Sequence, residues 1–145
     1  MAAKQQTKKV TTTKSARSGS ASGRKKVGAT VTDHGRVYIT ATFNNTLVTV
    51  TNDKGDTLGW SSSGSRGFKG TRKSTPYAAS VAVEEVVKRV VAKGMKSVDV
   101  FVKGPGSGRD SSLRGIKNAG PVITSISDVT PMPHNGPRSK KKRRV

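Results

Sequence analysis

Between Thr75 and Gly94 the apolar residues Ala79, Val83, Val86, Val87, Val90 and Val91 recur at three-to-four-residue spacing, while Glu84, Glu85, Lys88 and Arg89 fall on the other side. That period is the apolar stripe of an amphipathic helix. β-branched valine is a poor helix former, so local preference alone does not hold such a segment; a covering surface must. Thr75 is predicted to cap the first turn, Pro76 to take the first helical position and Gly94 to end the helix in left-handed conformation. The constraint is therefore a valine face in need of a sheet, and the flanking sequence is read for one.

From Arg36, Val37, Ile39, Ala41 and Phe43 alternate with Tyr38, Thr40 and Thr42, the period of a strand. Asn44-Asn45 follows as a predicted two-residue hairpin, since Asn tolerates positive φ, and leads into the β-branched run 46–51. Gly55 marks another turn, and 57–62 is predicted as a third strand, with Trp60 in the core. After the helix, 97–103 reads as a fourth strand. A short helix is predicted from a cap near Asp110 to Gly120, and 122–127 as a fifth strand. Three strands, helix, strand, helix, strand predict an antiparallel meander with parallel strands added through right-handed crossovers: one α/β domain with a mixed five-stranded sheet and two helices.

The chain of 145 residues carries a formal charge of +20. Such a charge repels itself unless a polyanion neutralises it, which points to nucleic acid. Residues 1–26 hold eight basic side chains and 129–145 hold six, with no acid in either stretch; the middle keeps 14 basic residues against all 8 acids. Two basic arms thus flank a milder body. The expected boundaries are a disordered basic extension over 1–27, a domain over 28–129 and an extended basic tail over 130–145. The start is rich in Ser, Thr and Lys like an organellar transit peptide, but it favours Lys over Arg and lacks an amphipathic apolar face, so targeting is the weaker reading. With no cysteine, disulfides, thiolate metal sites and cysteine nucleophiles are excluded. No apolar run of about 18 residues exists, so no membrane association is expected.

Two glycine-rich basic stretches carry the candidate chemistry, 64–77 (GSRGFKGTRKSTPY) and 103–110 (KGPGSGRD), each placed between a strand and a helix where loop amides and helix N-termini favour anions. Neither fits a nucleotide-binding motif: five residues before Gly70 stands Ser65, Thr71 follows it, and the sixth position of GPGSGR is Arg109. Gly67-Phe68-Lys69-Gly70 has the GxxG letters of a KH clamp, but a strand precedes it where a KH module has a helix. What remains is a grip on a polymer of phosphates: glycines for close backbone approach, Arg66, Lys69, Arg72 and Lys73 for charge, and the amides of Ser74 to Ala78 at the helix start. Phe68 is left with two readings, stacking on an unpaired base or packing into the core.

A catalytic centre is not expected. The acids are scattered, Asp110 is explained as a cap, and no carboxylate set converges as a two-metal nuclease needs. His34, in a predicted turn, and His134, in the tail, are read as structural or RNA-contacting residues. The basic run 140–144 suits phosphate binding better than nuclear import. No cofactor, metal or small-molecule substrate is expected. In the tail, Gly136 leaves the nitrogen after Asn135 unhindered, so Asn135 is a candidate for conversion to isoaspartate, with an ordinary turn as the alternative.

Four stretches, 41–51 (ATFNNTLVTVT), 67–79 (GFKGTRKSTPYAA), 100–109 (VFVKGPGSGR) and 126–138 (ISDVTPMPHNGPR), resemble the bacterial form of small-subunit ribosomal protein eleven, a similarity covering residues 28 to 145. The resemblance implies a ribonuclease-H-like topology without nuclease activity. It implies a place on the platform of a cytoplasmic rather than organellar small subunit, bound to the central domain of its RNA near the messenger exit path, beside ribosomal proteins six, seven and eighteen. Carried over by position, it makes Asn44 and Asn45 a hairpin tip against RNA, Arg66 to Ser74 (with Phe68, Lys69, Gly70, Arg72 and Lys73) a backbone clamp, and Lys103 to Arg114 (with Gly106 and Arg109) a second clamp. His134, Asn135, Arg138, Lys140, Lys141, Lys142, Arg143 and Arg144 would thread along RNA.

Overall fold

The computed structural model describes residues 30–138 together with 140 and 141. The extension expected over 1–27 lies outside the described residues, as do Lys142, Arg143 and Arg144. Five strands, β1 (His34–Ala41), β2 (Thr46–Asn52), β3 (Thr57–Ser62), β4 (Ser97–Lys103) and β5 (Val122–Asp128), form one sheet in the order β3-β2-β1-β4-β5. β1, β2 and β3 pair antiparallel, and β4 and β5 add in parallel beside β1, the ribonuclease-H-like arrangement. Helix α1 (Pro76–Val91) lies over β2 and β3, and α2 (Gly108–Ala119) packs against α1 and β1.

The valines of α1 decide this layering. Ala78, Ala79, Ala82, Val83, Val86, Val87 and Val90 are buried, facing Val37, Ile39, Val48, Val50, Val98, Val100 and Val102 of the sheet and Ile116 of α2 in one core. Thr75 caps α1 as predicted, its Oγ1 accepting from the Ala78 amide at 3.3 Å. At the other end Gly94 adopts φ 113° and donates to the Val91 carbonyl at 2.9 Å, a left-handed stop. Helix α2 begins at Gly108, ahead of the predicted cap; Asp110 lies in its first turn, where a carboxylate favours the positive end of the dipole.

Three expectations are corrected. β1 starts at His34, not in a turn: His34 Nδ1 meets Ser97 Oγ at 3.0 Å and Nε2 meets Asp99 Oδ2 at 3.1 Å across the β1–β4 pair. The first hairpin turns one residue early. Thr42 N and Oγ1 both donate to the Asn45 carbonyl, at 2.9 and 2.8 Å, so Phe43 and Asn44 form the tip and Phe43 is 74 % exposed. Neither asparagine of the pair takes positive φ, because the threonine hydroxyl closes the turn instead. Trp60 is not in the core but 63 % exposed, since Gly59 and Ser61 occupy the helix-facing positions of β3.

The end of β5 is tied down by a polar clamp. Asp128 accepts from Thr130 Oγ1 at 2.6 Å, from the Thr130 amide at 2.9 Å and from Arg109 at 2.5 Å, while Arg109 also donates to the Gly104 carbonyl at 2.7 Å. The Thr130 hydroxyl first, then Arg109, hold the Asp128 carboxyl down at about 2. A depressed carboxyl stabilises the fold above its unfolded value and gives that up as pH falls through the folded one. Carboxyl-carbon NMR should therefore find the Asp128 midpoint near 2 in the native chain. In Thr130→Val it should move up toward about 3.9, the unperturbed aspartate value; an ordinary midpoint in the unaltered chain would contradict the clamp. Core and surface should also separate in urea: Ile116→Ala is expected to cost about 2–5 kcal/mol. Trp60→Ala should stay within about 0.5 kcal/mol; a loss at Trp60 equal to that at Ile116 would refute its placement.

Candidate nucleic-acid interface

β1, β3, β4 and β5 all run toward one end of the sheet, so the first hairpin, both glycine-rich segments, the N-termini of both helices and the start of the tail meet there. Hydrogen bonds fix them to one another: Ser63 N to the Thr46 carbonyl at 3.0 Å, Gly106 N to the Ala41 carbonyl at 3.0 Å, and Ser107 Oγ to the Ser74 carbonyl at 2.8 Å. The gathering is thus structural.

The first glycine segment is not a loose loop. Gly64–Arg66 and Gly70–Ser74 are 3-10 turns, the first closed by Gly67 at φ 85° and the second opened by Gly70 at φ 58°; an added Cβ would meet nothing at either, so the left-handed backbone is what requires glycine. Ser62 and Ser65 cross-bond side chain to backbone at 2.9 and 3.1 Å and lock the first turn. Arg66 points inward: it pairs with Glu85 of α1 and its Nε donates to Ser61 Oγ at 3.1 Å. Lys69 and Arg72 are exposed, Lys73 and Ser74 half-buried, and none of these three cations has an ion-pair partner among the described residues. Phe68 follows neither extreme reading: it is half-buried and meets Tyr77 edge to face with centroids 6.1 Å apart. The helix-start amides are largely consumed, since Pro76 has none, Thr75 N donates to Arg72 O and Ala78 N to the cap. Side-chain charge, more than a cradle of amides, is what this segment offers.

The second segment serves packing. A Cβ on Gly104 would strike the Ala41 carbonyl, one on Gly106 the Thr42 carbonyl, and one on Gly108 the Thr46 hydroxyl and Ala79. Gly106 is buried and its amide is taken by Ala41. Arg109 is spent in the Asp128 clamp. Lys103 and Arg114 remain exposed and unpaired among the described residues.

At the hairpin, Asn44 is exposed, whereas Asn45 is half-buried with its Oδ1 enclosed and without a donor among the described residues. Asn44, Gly70, Thr71, Lys73 and Ser74 line an open cleft of about 400 Å³ that joins hairpin and first segment. A second cleft of about 260 Å³ between the helices brings Arg114 beside Tyr77. Tyr77, 70 % exposed, and Phe43 at the hairpin tip are the aromatic side chains that the sequence reading left out. Tyr77 closes the quoted basic stretch at the second position of α1, a signal that could have found it; Phe43 was hidden by strand alternation running one step too far. In the tail, residues 130–138 have no regular structure; His134, Asn135, Arg138, Lys140 and Lys141 are exposed, and Asn135 alone among described non-glycine residues takes positive φ, 57°.

The profile of the family described as "Ribosomal protein S11" matches residues 35–144. A relative from Trieres chinensis, "Small ribosomal subunit protein uS11c", is 57 % identical over 112 residues, 77 % of this chain and 86 % of its own. The match takes in the hairpin, both glycine segments, the helix starts and the tail that the fold gathers at one end, and the chain belongs to the ribosomal protein S11 family of small-subunit ribosomal proteins.

Proposed function

We propose that this chain is a structural, non-catalytic component of the small ribosomal subunit that binds the central domain of its RNA on the platform, supports assembly there and shapes the messenger exit path. The observation that carries this reading is the separation of cations. Lys69, Arg72, Lys73, Lys103, Arg114 and the tail residues Arg138, Lys140 and Lys141 have no ion-pair partner among the described residues, while Arg66 and Arg109 are committed internally. Asn44, Phe68, Gly70, Ser74 and His134 lie at the same end or in the tail, and are proposed as further RNA contacts with Lys142, Arg143 and Arg144. Asn45 and Gly106 support that surface from beneath. Proteins six, seven and eighteen are proposed neighbours. The name of the Trieres relative does not favour a cytoplasmic ribosome over an organellar one, so the location proposed is the ribosome itself. Four of the eight acids are ion-paired with Lys or Arg: Glu84 with Lys88, Glu85 with Arg66 and Arg89, Asp33 with Lys96 and Asp128 with Arg109.

With about ten phosphates neutralised, log affinity for the central RNA domain should fall against log salt with a slope of about −7 to −9. A slope shallower than about −3 would reject the electrostatic account. Equal binding to duplex DNA at physiological salt would favour a general DNA binder, and metal-dependent cleavage of an RNA–DNA hybrid a nuclease. The triple variant Lys69→Gln, Arg72→Gln, Lys73→Gln should flatten the slope by about 3, one unit per lost phosphate contact. Arg66→Gln should leave it nearly unchanged and lower the melting temperature instead; the reverse pattern would contradict the division between free and committed arginines.

Asn135 is the proposed modification site. The Gly136 nitrogen attacks the Asn135 side-chain carbonyl carbon, ammonia leaves, and water opens the resulting succinimide to isoaspartate. Exposure of Asn135 and the unhindered glycine favour this closure. Mass spectrometry of aged ribosomes should find isoaspartate at 135; intact asparagine throughout would count against it.

A further inference from the structure

Both helices cover the same face of the sheet, and no described element covers the other. On that open face Trp60, Thr49, Tyr38 and Phe101 stand directly across from one another on β3, β2, β1 and β4. Tyr38 and Phe101 stack with centroids 5.1 Å apart, Trp60 is 63 % exposed, and Leu47 one rung away is 45 % exposed. Together these side chains make an apolar surface outside the core. We propose that it docks a neighbouring protein through an apolar anchor flanked by basic side chains; the proposal rests on the ribosomal reading only for its choice of assay.

Three observations select that occupant. First, in a chain with 28 Lys and Arg this face is nearly free of them: on β1 to β4 it presents only Arg36, across from Asp99, and Lys103, across from Thr40, and none on β2 or β3. A surface for phosphates is rich in cations, whereas the centre of a protein interface is depleted of charge and enriched in aromatic residues. Second, the edge of this face farthest from the candidate RNA end carries two carboxylates, in a neighbourhood that also holds Arg36, across from Asp99, and Lys54, next to Asp53. The Asp99 and Asp53 carboxylates approach His34 Nε2 at 3.1 and 3.9 Å, and neither has a Lys or Arg in ion-pair range among the described residues. These carboxylates repel an RNA backbone and attract cationic side chains. A second copy of this chain would set the same acids against each other. Third, residues 1–26 of this chain could supply charge but hold only Met1, Val10 and four alanines as apolar residues, too little to cover an aromatic row.

Trp60 is the sole tryptophan, a built-in reporter. The full chain labelled with 5-fluorotryptophan is followed by fluorine NMR, reading the solvent isotope shift at Trp60, in the free protein, with small-subunit RNA alone, and in subunits reconstituted with total small-subunit proteins. Sedimentation of the labelled chain scores incorporation separately, so a failure of RNA binding is seen as such. The shift should persist in the free chain and on RNA, and drop about threefold or more in subunits, as for an indole sealed from water at an interface centre. Leu47→Glu and Asp53→Lys, at exposed positions and checked for unchanged melting and RNA affinity, should each restore solvent exposure of Trp60. Loss of the shift on RNA alone would assign the face to base stacking. Concentration-dependent loss in the free chain would assign it to a second copy, and loss that needs residues 1–26 to the chain's own extension. Each of these outcomes overturns the proposal, as do persistent exposure in subunits that contain the chain and indifference to both variants.

Discussion

The valine face of α1 exists as helix only because a sheet lies under it. Val83, Val86, Val87 and Val90 give up rotamer freedom that only burial repays, and the valines of β1, β2 and β4 meet them from below. Since α2 packs beside α1 on the same face, the whole core is one-sided. Two consequences follow for function: one sheet face has no described element over it, and both strand-to-helix connections open at the same end.

That end is specialised by how charge is spent. Arginines near the sheet are drawn inward, Arg66 to Glu85 and Arg109 to Asp128, and hold segments in place. Lysines and arginines farther out on the same segments have no acid in ion-pair range among the described residues. The glycines divide likewise: Gly67 and Gly70 permit left-handed backbone, whereas Gly104, Gly106 and Gly108 let one loop lie directly on the hairpin base. A hydrogen-bonded platform carrying unpaired cations matches a partner whose phosphates are many and whose grooves are recognised by shape.

Much of this was legible in the sequence. The order of elements, the mixed sheet, the cap at Thr75 and the stop at Gly94 follow from periodicity and turn chemistry that act over a few residues. What was not legible depended on contacts between distant segments. Whether Arg66 faces an acid or solvent is decided by Glu85, 19 residues on. Gly106 reads as a phosphate cradle until the hairpin base is seen against it. Trp60 reads as core because size favours burial, yet alternation along β3 puts Gly59 and Ser61 over the helices and leaves the indole on the open face. The hairpin shifted because a threonine hydroxyl, not an asparagine in left-handed conformation, closed the turn.

The central claim is that RNA is gripped at one end of the sheet. Lysine acetylation read by mass spectrometry, with and without the central RNA domain, tests it directly, because lysines occur at both ends. The account predicts protection at Lys69, Lys73 and Lys103, and unchanged reactivity at Lys54, Lys93 and Lys96, which lie in the turns at the opposite end. Protection of Lys54, Lys93 and Lys96 to the same degree would contradict it.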